Sequence, residues 1–169
     1  MNKQTQFVHD LIINNPNINT ILNIGYRYDS DQTILNACVS NNKTFEVMEI
    51  YKPNCDVLKN NKKIKEIYNL DIKDIKSLNK KFDAIIWLHG PEHVNWEDFL
   101  IFRKDIEDSA NHLVVYQAPE GFYPQEDIYG NIHEKHVQTL SEKMFKDLGY
   151  KTNNFVEFSE PTFSAFVIK

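Results

Sequence analysis

The sequence predicts an α/β protein: a three-layer sandwich around a mostly parallel seven-stranded sheet that ends in an antiparallel hairpin. Three observations carry this reading. Strand-like and helix-like segments alternate along the whole chain, and repeated strand–helix–strand units imply parallel pairing with helices on both faces. Runs such as Ala84-Ile85-Ile86-Trp87-Leu88 and Leu113-Val114-Val115-Tyr116 lack a polar alternate, as expected of strands covered on both sides. Finally, only Ser159-Glu160-Pro161 separates the last two strand candidates. That link is too short for a crossover, so the two form a hairpin.

Taken in order, a first helix is expected over residues 7–13, ahead of a β-branched, apolar strand at Thr20–Ile24. Asp29, Ser30 and Asp31 are good cap residues and introduce a helix over 30–39. Strand two spans 44–50. Pro53 suits a first helical turn and opens a helix over 53–61. Strands three and four are expected at 64–70 and Phe82–Leu88. Phe99, Leu100, Phe102 and Ile106 form a helical stripe within 97–109. Strand five covers 113–117. Leu140, Met144, Phe145 and Leu148 mark a helix over 137–148 that stops at Gly149. The terminal strands are read as 151–158 and 162–168.

At 169 residues the chain suits one domain spanning 1–169. Its composition, 41% hydrophobic and 25% charged, is ordinary globular usage and argues against disorder. The longest apolar runs are far short of the roughly 20 residues a membrane helix needs. The opening MNKQTQFVHDLIINN has an acidic residue and no continuous apolar core, unlike a secretory signal. Net charge is −5, and Arg27 and Arg103 are the two arginines, with the lysines dispersed. A nucleic-acid binder would show a basic face, so neither nucleic acid nor membrane is an expected partner. Cys38 and Cys55 are isolated and match no metal spacing, which fits reduced, buried thiols in a cytoplasmic protein.

Gly25, Glu49, Asp71, Leu88 and Pro119 all lie at or just beyond strand ends in this assignment, so they converge on one rim. In open parallel sheets, ligands bind beyond the carboxyl ends of the strands. Gly25 permits a positive φ or a close backbone approach. Glu49 can accept two hydroxyl hydrogen bonds, as a ribose diol would offer, or stand as a solvated strand-end acid. Asp71 can equally cap the turn into a short helix.

This order of elements resembles the class I S-adenosylmethionine-dependent methyltransferases over nearly the whole chain, from about Thr20 to Lys169. Asn23 and Gly25 match the end of that family's strand one and the start of its glycine-rich loop. Tyr26 to Ser30 replace the later glycines. FEVMEIY offers Glu49 where the family binds the ribose, and YNLDIKD offers Asp71 near the adenine. FDAIIWLHGPEHVNWEDF resembles strand four and its exit. QAPEGFYPQEDIYGNIHEKHVQTLSEKMFKDLGYKT resembles the loop and helix after strand five in small-molecule and sugar-modifying members. The resemblance implies S-adenosylmethionine as cofactor, held by Asn23, Gly25, Tyr26, Glu49, Ile50, Asp71, Ile72 and Leu88. The implied acceptor is a small molecule or a glycan-type group.

Tyr26 and Tyr28 bring bulk where the cofactor's methionine portion needs clearance. A methyltransferase requires them to point away or to stack on the ligand. A non-catalytic binding or assembly module of the same fold, the alternative reading, predicts that they fill the cleft. An oxidoreductase reading is opposed by the missing glycine fingerprint and by the terminal hairpin. For methyl transfer to a hydroxyl a positioned base helps. The candidates near the rim are His89, Glu92, His93, His133 and His136, with His93 and His136 assigned the catalytic role. Glu92-His93 has a second reading as a helix cap. His133 and His136 at i, i+3 could join Glu126 or Asp127 around a metal in principle, although no metal is expected. Residues 118–135 form a polar loop with Phe122, Tyr123 and Tyr129, long enough to be read as a lid over the acceptor pocket.

Overall fold

The computed structural model describes residues 2–157 and 160–169. Its seven strands are β1 (Thr20–Ile24), β2 (Thr44–Met48), β3 (Ile67–Tyr68), β4 (Phe82–Leu88), β5 (Ala110–Pro119), β6 (Lys151–Glu157) and β7 (Glu160–Ile168). They form one sheet in the order β3-β2-β1-β4-β5-β7-β6. The first five are mutually parallel, and β7 inserts antiparallel between β5 and β6. The order reverses at β1, which has β2 on one side and β4 on the other. That reversal opens a crevice at the carboxyl ends of the strands. Sequence expectation and structure agree on this architecture.

Two cores lie on the two faces. On one, helices α1 (Lys3–Ile13), α2 (Thr33–Ser40) and α3 (Lys52–Leu58) bury Val8, Ile12, Leu35 and Leu58 against Ile21, Phe45 and Val115. Cys38 and Cys55 are buried and unpaired, as expected. On the other, a 3-10 helix (Ile72–Leu78), α4 (Trp96–Ser109) and α5 (Glu142–Asp147) cover an aromatic cluster of Trp87, Phe99, Tyr116, Phe145 and Phe163. Trp87 and Phe99 stack at 6.2 Å, and Phe99 and Phe145 meet at 5.2 Å. Among the described residues, no helix is long and apolar enough to cross a membrane.

The boundaries of β1 and β4 match the sequence reading, and several others shift for identifiable reasons. Helix α1 starts at Lys3 because Asn2 caps it, its Oδ1 accepting from Thr5 N at 2.6 Å. Helix α2 starts later than residue 30. Arg27 N donates to Ser30 Oγ at 3.1 Å, and Asp31 Oδ1 accepts from Thr33 N at 2.9 Å, so residues 27–32 are used in turns. Strand β5 is longer than 113–117 because β7 pairs with it as far as Pro119. Strand β3 shortens to two residues at the sheet edge.

The largest revision is α5. Residues 137–141 are not helical: Leu140 forms a bridge to Gly121, and Ser141 then caps the helix. Gly149 ends that segment with φ +89, as its position suggested. At the terminal hairpin, Glu160 and Pro161 belong to β7, where they pair with Glu157 and Val156. Phe158 and Ser159, placed by sequence in the strand end and the turn, lie outside the described residues.

Candidate active site

The crevice at the reversal is a cleft of about 1220 Å³. Drug-sized ligands occupy pockets of roughly 300–1,000 Å³, so it has room for a cofactor and an acceptor together. The ten site residues expected from sequence, Asn23, Gly25, Tyr26, Glu49, Ile50, Asp71, Ile72, Leu88, His93 and His136, all line it.

The β1 exit explains the unusual sequence after Gly25. Gly25 has φ +71, a conformation few other residues adopt cheaply. Its N–H donates to Met48 O at 2.8 Å, binding the turn to the neighbouring strand. The Tyr26 ring packs edge-on against Phe45 at 5.6 Å in the core beneath, and burial raises its phenol to about 12. Tyr28 is exposed and lines a separate, smaller hollow. Neither ring fills the cleft.

At the β2 exit, Glu49 is 4% exposed. Its Oε1 accepts from Tyr51 N at 2.7 Å. Burial pushes the carboxyl up to about 7, against that hydrogen bond and one from Asn54, with Glu134 adding repulsion. Asp71 is differently engaged. Its side chain accepts from Lys73 N at 3.2 Å and pairs with Lys73 Nζ at 3.2 Å, so it caps the 3-10 helix while lining the cleft.

Beyond β4 the chain turns through His89 and Gly90 into a 3-10 turn, Pro91–His93. This turn carries the most unusual group in the molecule. Glu92 is 2% exposed, and neither carboxylate oxygen has a hydrogen-bond partner. Other buried acids are matched: Glu46 accepts from Lys80 Nζ at 2.6 Å and Tyr68 OH at 2.6 Å. Around Glu92 Oε1 stand His89 Nδ1 at 3.7 Å and His136 Nε2 at 3.9 Å. The His93 and His136 rings meet edge-to-face at 4.9 Å. His93 sits between the carbonyl oxygens of Lys135 and His89, at 3.1 Å from each ring nitrogen. His136 Nδ1 lies 2.6 Å from Tyr123 O. A carbonyl only accepts, so Nδ1 carries a proton, and Nε2 faces Glu92 Oε1.

The expected lid folds over this end of the cleft. Val137 N and Gln138 N both donate to Glu92 O, at 3.0 and 3.2 Å, so the segment expected to be helical is instead tied to the Glu92 turn. At the other end, Arg27 Nη1 reaches Glu134 Oε2 at 3.4 Å, linking the lid to the Gly25 loop. Tyr123 lines the cleft, whereas Phe122 and Tyr129 point to solvent at 79% and 81% exposure. Among the described residues, three or more potential metal donors converge at Glu92, His93 and His136, whose ligand atoms lie within 4.8 Å of one another. Glu126 pairs with Lys135 at 2.8 Å instead of joining His133.

Four residues that line the cleft carry buried polar atoms without a hydrogen-bond partner: Gln4 Nε2, Tyr26 OH, Thr162 Oγ1 and both Glu92 oxygens. Buried polar groups are normally hydrogen-bonded, so these suit a polar ligand. The residues present therefore fit a nucleoside cofactor at the Gly25–Glu49 end.

No protein family's profile matches the chain, and no curated protein matches it in sequence. Solved structures do. A SAM-dependent methyltransferase from Archaeoglobus fulgidus superposes with TM-score 0.70 at 14% identity, covering 99% of this chain and 91% of that one. The N-methyltransferase NodS from Bradyrhizobium japonicum WM9 gives 0.67 at 12% identity, over 99% and 94%. A magnesium protoporphyrin IX methyltransferase from Synechocystis, solved with bound SAH, gives 0.61 at 11% identity, over 98% and 83%. With the strand order above, these likenesses identify the fold as that of the class I S-adenosylmethionine-dependent methyltransferases.

Proposed function

We propose that this protein transfers a methyl group from S-adenosylmethionine to a small-molecule or glycan-type acceptor. The observation that carries the reading is Glu49: a buried carboxylate at the exit of β2, facing the same cleft as the Gly25 turn. When bound, S-adenosylmethionine supplies a methyl carbon activated by the sulfonium, which keeps the bonding electron pair as the methyl leaves for the acceptor. Glu49 accepts hydrogen bonds from the two ribose hydroxyls. Gly25 lets the backbone approach the nucleoside, and Ile50, Ile72 and Leu88 give it apolar walls. At the other end, His136, held through Nδ1 by Tyr123 O, is placed to take the proton of an acceptor hydroxyl through Nε2, beside Glu92 and His93. The lid, tied down at its C-terminal end by the Arg27–Glu134 and Glu92–Val137 contacts, shields the transfer from water.

The alternative, a binding module with a lost cofactor site, predicts Tyr26 and Tyr28 filling the cleft, whereas the Tyr26 ring packs on Phe45 and Tyr28 is exposed; a cleft with bound cofactor would exclude it. Calorimetry with S-adenosylmethionine and S-adenosylhomocysteine is the direct test. Binding of one equivalent of either is expected. A folded sample that binds neither would overturn the proposal.

A further inference from the structure

We infer that Glu92, His93 and His136 form a binding site for a divalent transition-metal ion at the acceptor end of the cleft. The first argument is the state of Glu92. A buried charge is normally paired or coordinated to a metal. Both oxygens of Glu92 are buried without a hydrogen-bond donor, while the protein supplies donors to Glu46 and Glu49. The two nearest ring nitrogens, at 3.7 and 3.9 Å, are too far for hydrogen bonds. Of the proposed donors, Glu92 Oε1 and His136 Nε2 are at a separation that an ion can bridge, and the ligand atoms of Glu92, His93 and His136 all lie within 4.8 Å of one another. Two ligands each about 2.1 Å from a common zinc lie roughly 3–4 Å apart.

The second argument is orientation. Ligating histidines almost always donate their other ring N–H to a carbonyl or carboxylate, which fixes the tautomer. His136 has this arrangement: Nδ1 is anchored on Tyr123 O at 2.6 Å, and Nε2 is turned toward Glu92. His93 has a carbonyl on each ring nitrogen. One of these keeps the orienting role, and the other gives way to the ion.

The third is rigidity across the sequence. Two donors come from the turn after β4 and one from the lid. The bonds from Val137 N and Gln138 N to Glu92 O hold these segments together. His89, whose Nδ1 is 3.7 Å from the same carboxylate, borders the site.

Two imidazoles and one carboxylate suit zinc or manganese better than magnesium or calcium, which prefer oxygen donors. Three protein ligands leave a position open toward the cleft. An acceptor oxygen held there would be polarised by the cation, with His136 then serving as a ligand and not as the proton acceptor. The ion's role in catalysis rests on the methyl-transfer reading; its binding does not.

The test is calorimetric titration of the EDTA-treated full chain with zinc chloride and with manganese chloride, without S-adenosylmethionine. One ion per chain is expected for at least one of the two metals. Glu92→Gln and His136→Asn should each weaken it by at least about a hundredfold, given that losing even an orienting partner typically costs 10–100-fold. His133→Asn, which alters a nearby exposed histidine outside the cluster, should leave binding unchanged. Circular dichroism checks the fold of each variant, and if one fails to fold, the other carries the test. Absence of a one-to-one site for both metals in the parent chain, or equal binding by a folded Glu92→Gln or His136→Asn variant, would overturn the inference. Loss of this site with nucleoside binding intact counts against the metal alone. The reverse outcome counts against the methyl-transfer reading alone.

Discussion

Glu49→Gln is expected to make the free protein more stable at pH 8 while weakening its hold on the nucleoside. Burial raises the carboxyl from its ordinary 4.5 to about 7 in the folded state. Below about pH 4.5 both the folded and unfolded chains carry the proton, and burial of the acid is not opposed by charge. Between 4.5 and 7 the folded chain binds more protons than the unfolded one, so stability falls as pH rises. Above 7 the full penalty is present. At about 1.4 kcal/mol per pKa unit it amounts to on the order of 3 kcal/mol. Glutamine removes the charge and keeps an oxygen for the Tyr51 N–H. Urea unfolding at pH 5 and pH 8 should therefore show a gap between variant and parent that opens with pH. Equal pH slopes would contradict the account. In the same variant, loss of the charged hydrogen bonds to the ribose should weaken cofactor binding by roughly 1–3 kcal/mol. In the parent chain, affinity should rise as pH passes upward through about 7, where Glu49 ionises.

Gly90→Ala should destabilise the fold and disturb the acceptor end together. A Cβ on residue 90 would lie 1.7 Å from Trp87 Nε1 and 2.2 Å from Trp87 Cδ1. The indole cannot step aside easily: it is stacked on Phe99 and meets Tyr116 edge-on at 6.4 Å. Overpacking of this kind typically costs about 1–3 kcal/mol. The displacement would pass directly to Glu92 and His93, two and three residues further on. A lowered urea midpoint, accompanied by loss of methyl transfer, is the expected pattern. Gly25→Ala is a different case, since its Cβ would meet Trp87 at an ordinary 3.8 Å and the penalty comes from φ +71. A Gly90→Ala protein as stable as its parent would show that Trp87 has more freedom than the packing indicates.

Much of this architecture was legible in the residues because local pattern and tertiary demand agree. β1 and β4 are largely apolar runs in the middle of the sheet, broken by Asn23 in β1 and Asp83 in β4, and mostly buried. The rim residues followed from strand order alone, since every parallel strand delivers its carboxyl end to the same side. α5 was misjudged for the opposite reason. Leu140, Met144, Phe145 and Leu148 have helical spacing, but the backbone at Val137, Gln138 and Leu140 bonds to Glu92 and Gly121, partners no local pattern reveals. The same long-range closure buries Glu92, which the sequence offered as a rim base or a helix cap without any sign of its burial. Gly90 carried no signal because its reason is the Trp87 ring. The Arg27–Glu134 contact joins residues too distant in the chain for spacing to connect.

The most direct test is a crystal structure of the protein soaked with S-adenosylhomocysteine. The ligand should lie along the Gly25 turn, with both ribose hydroxyls within hydrogen-bond distance of the Glu49 carboxylate and its sulfur toward His93 and His136. A nucleoside bound elsewhere, or one in this cleft with its ribose away from Glu49, would contradict the assignment.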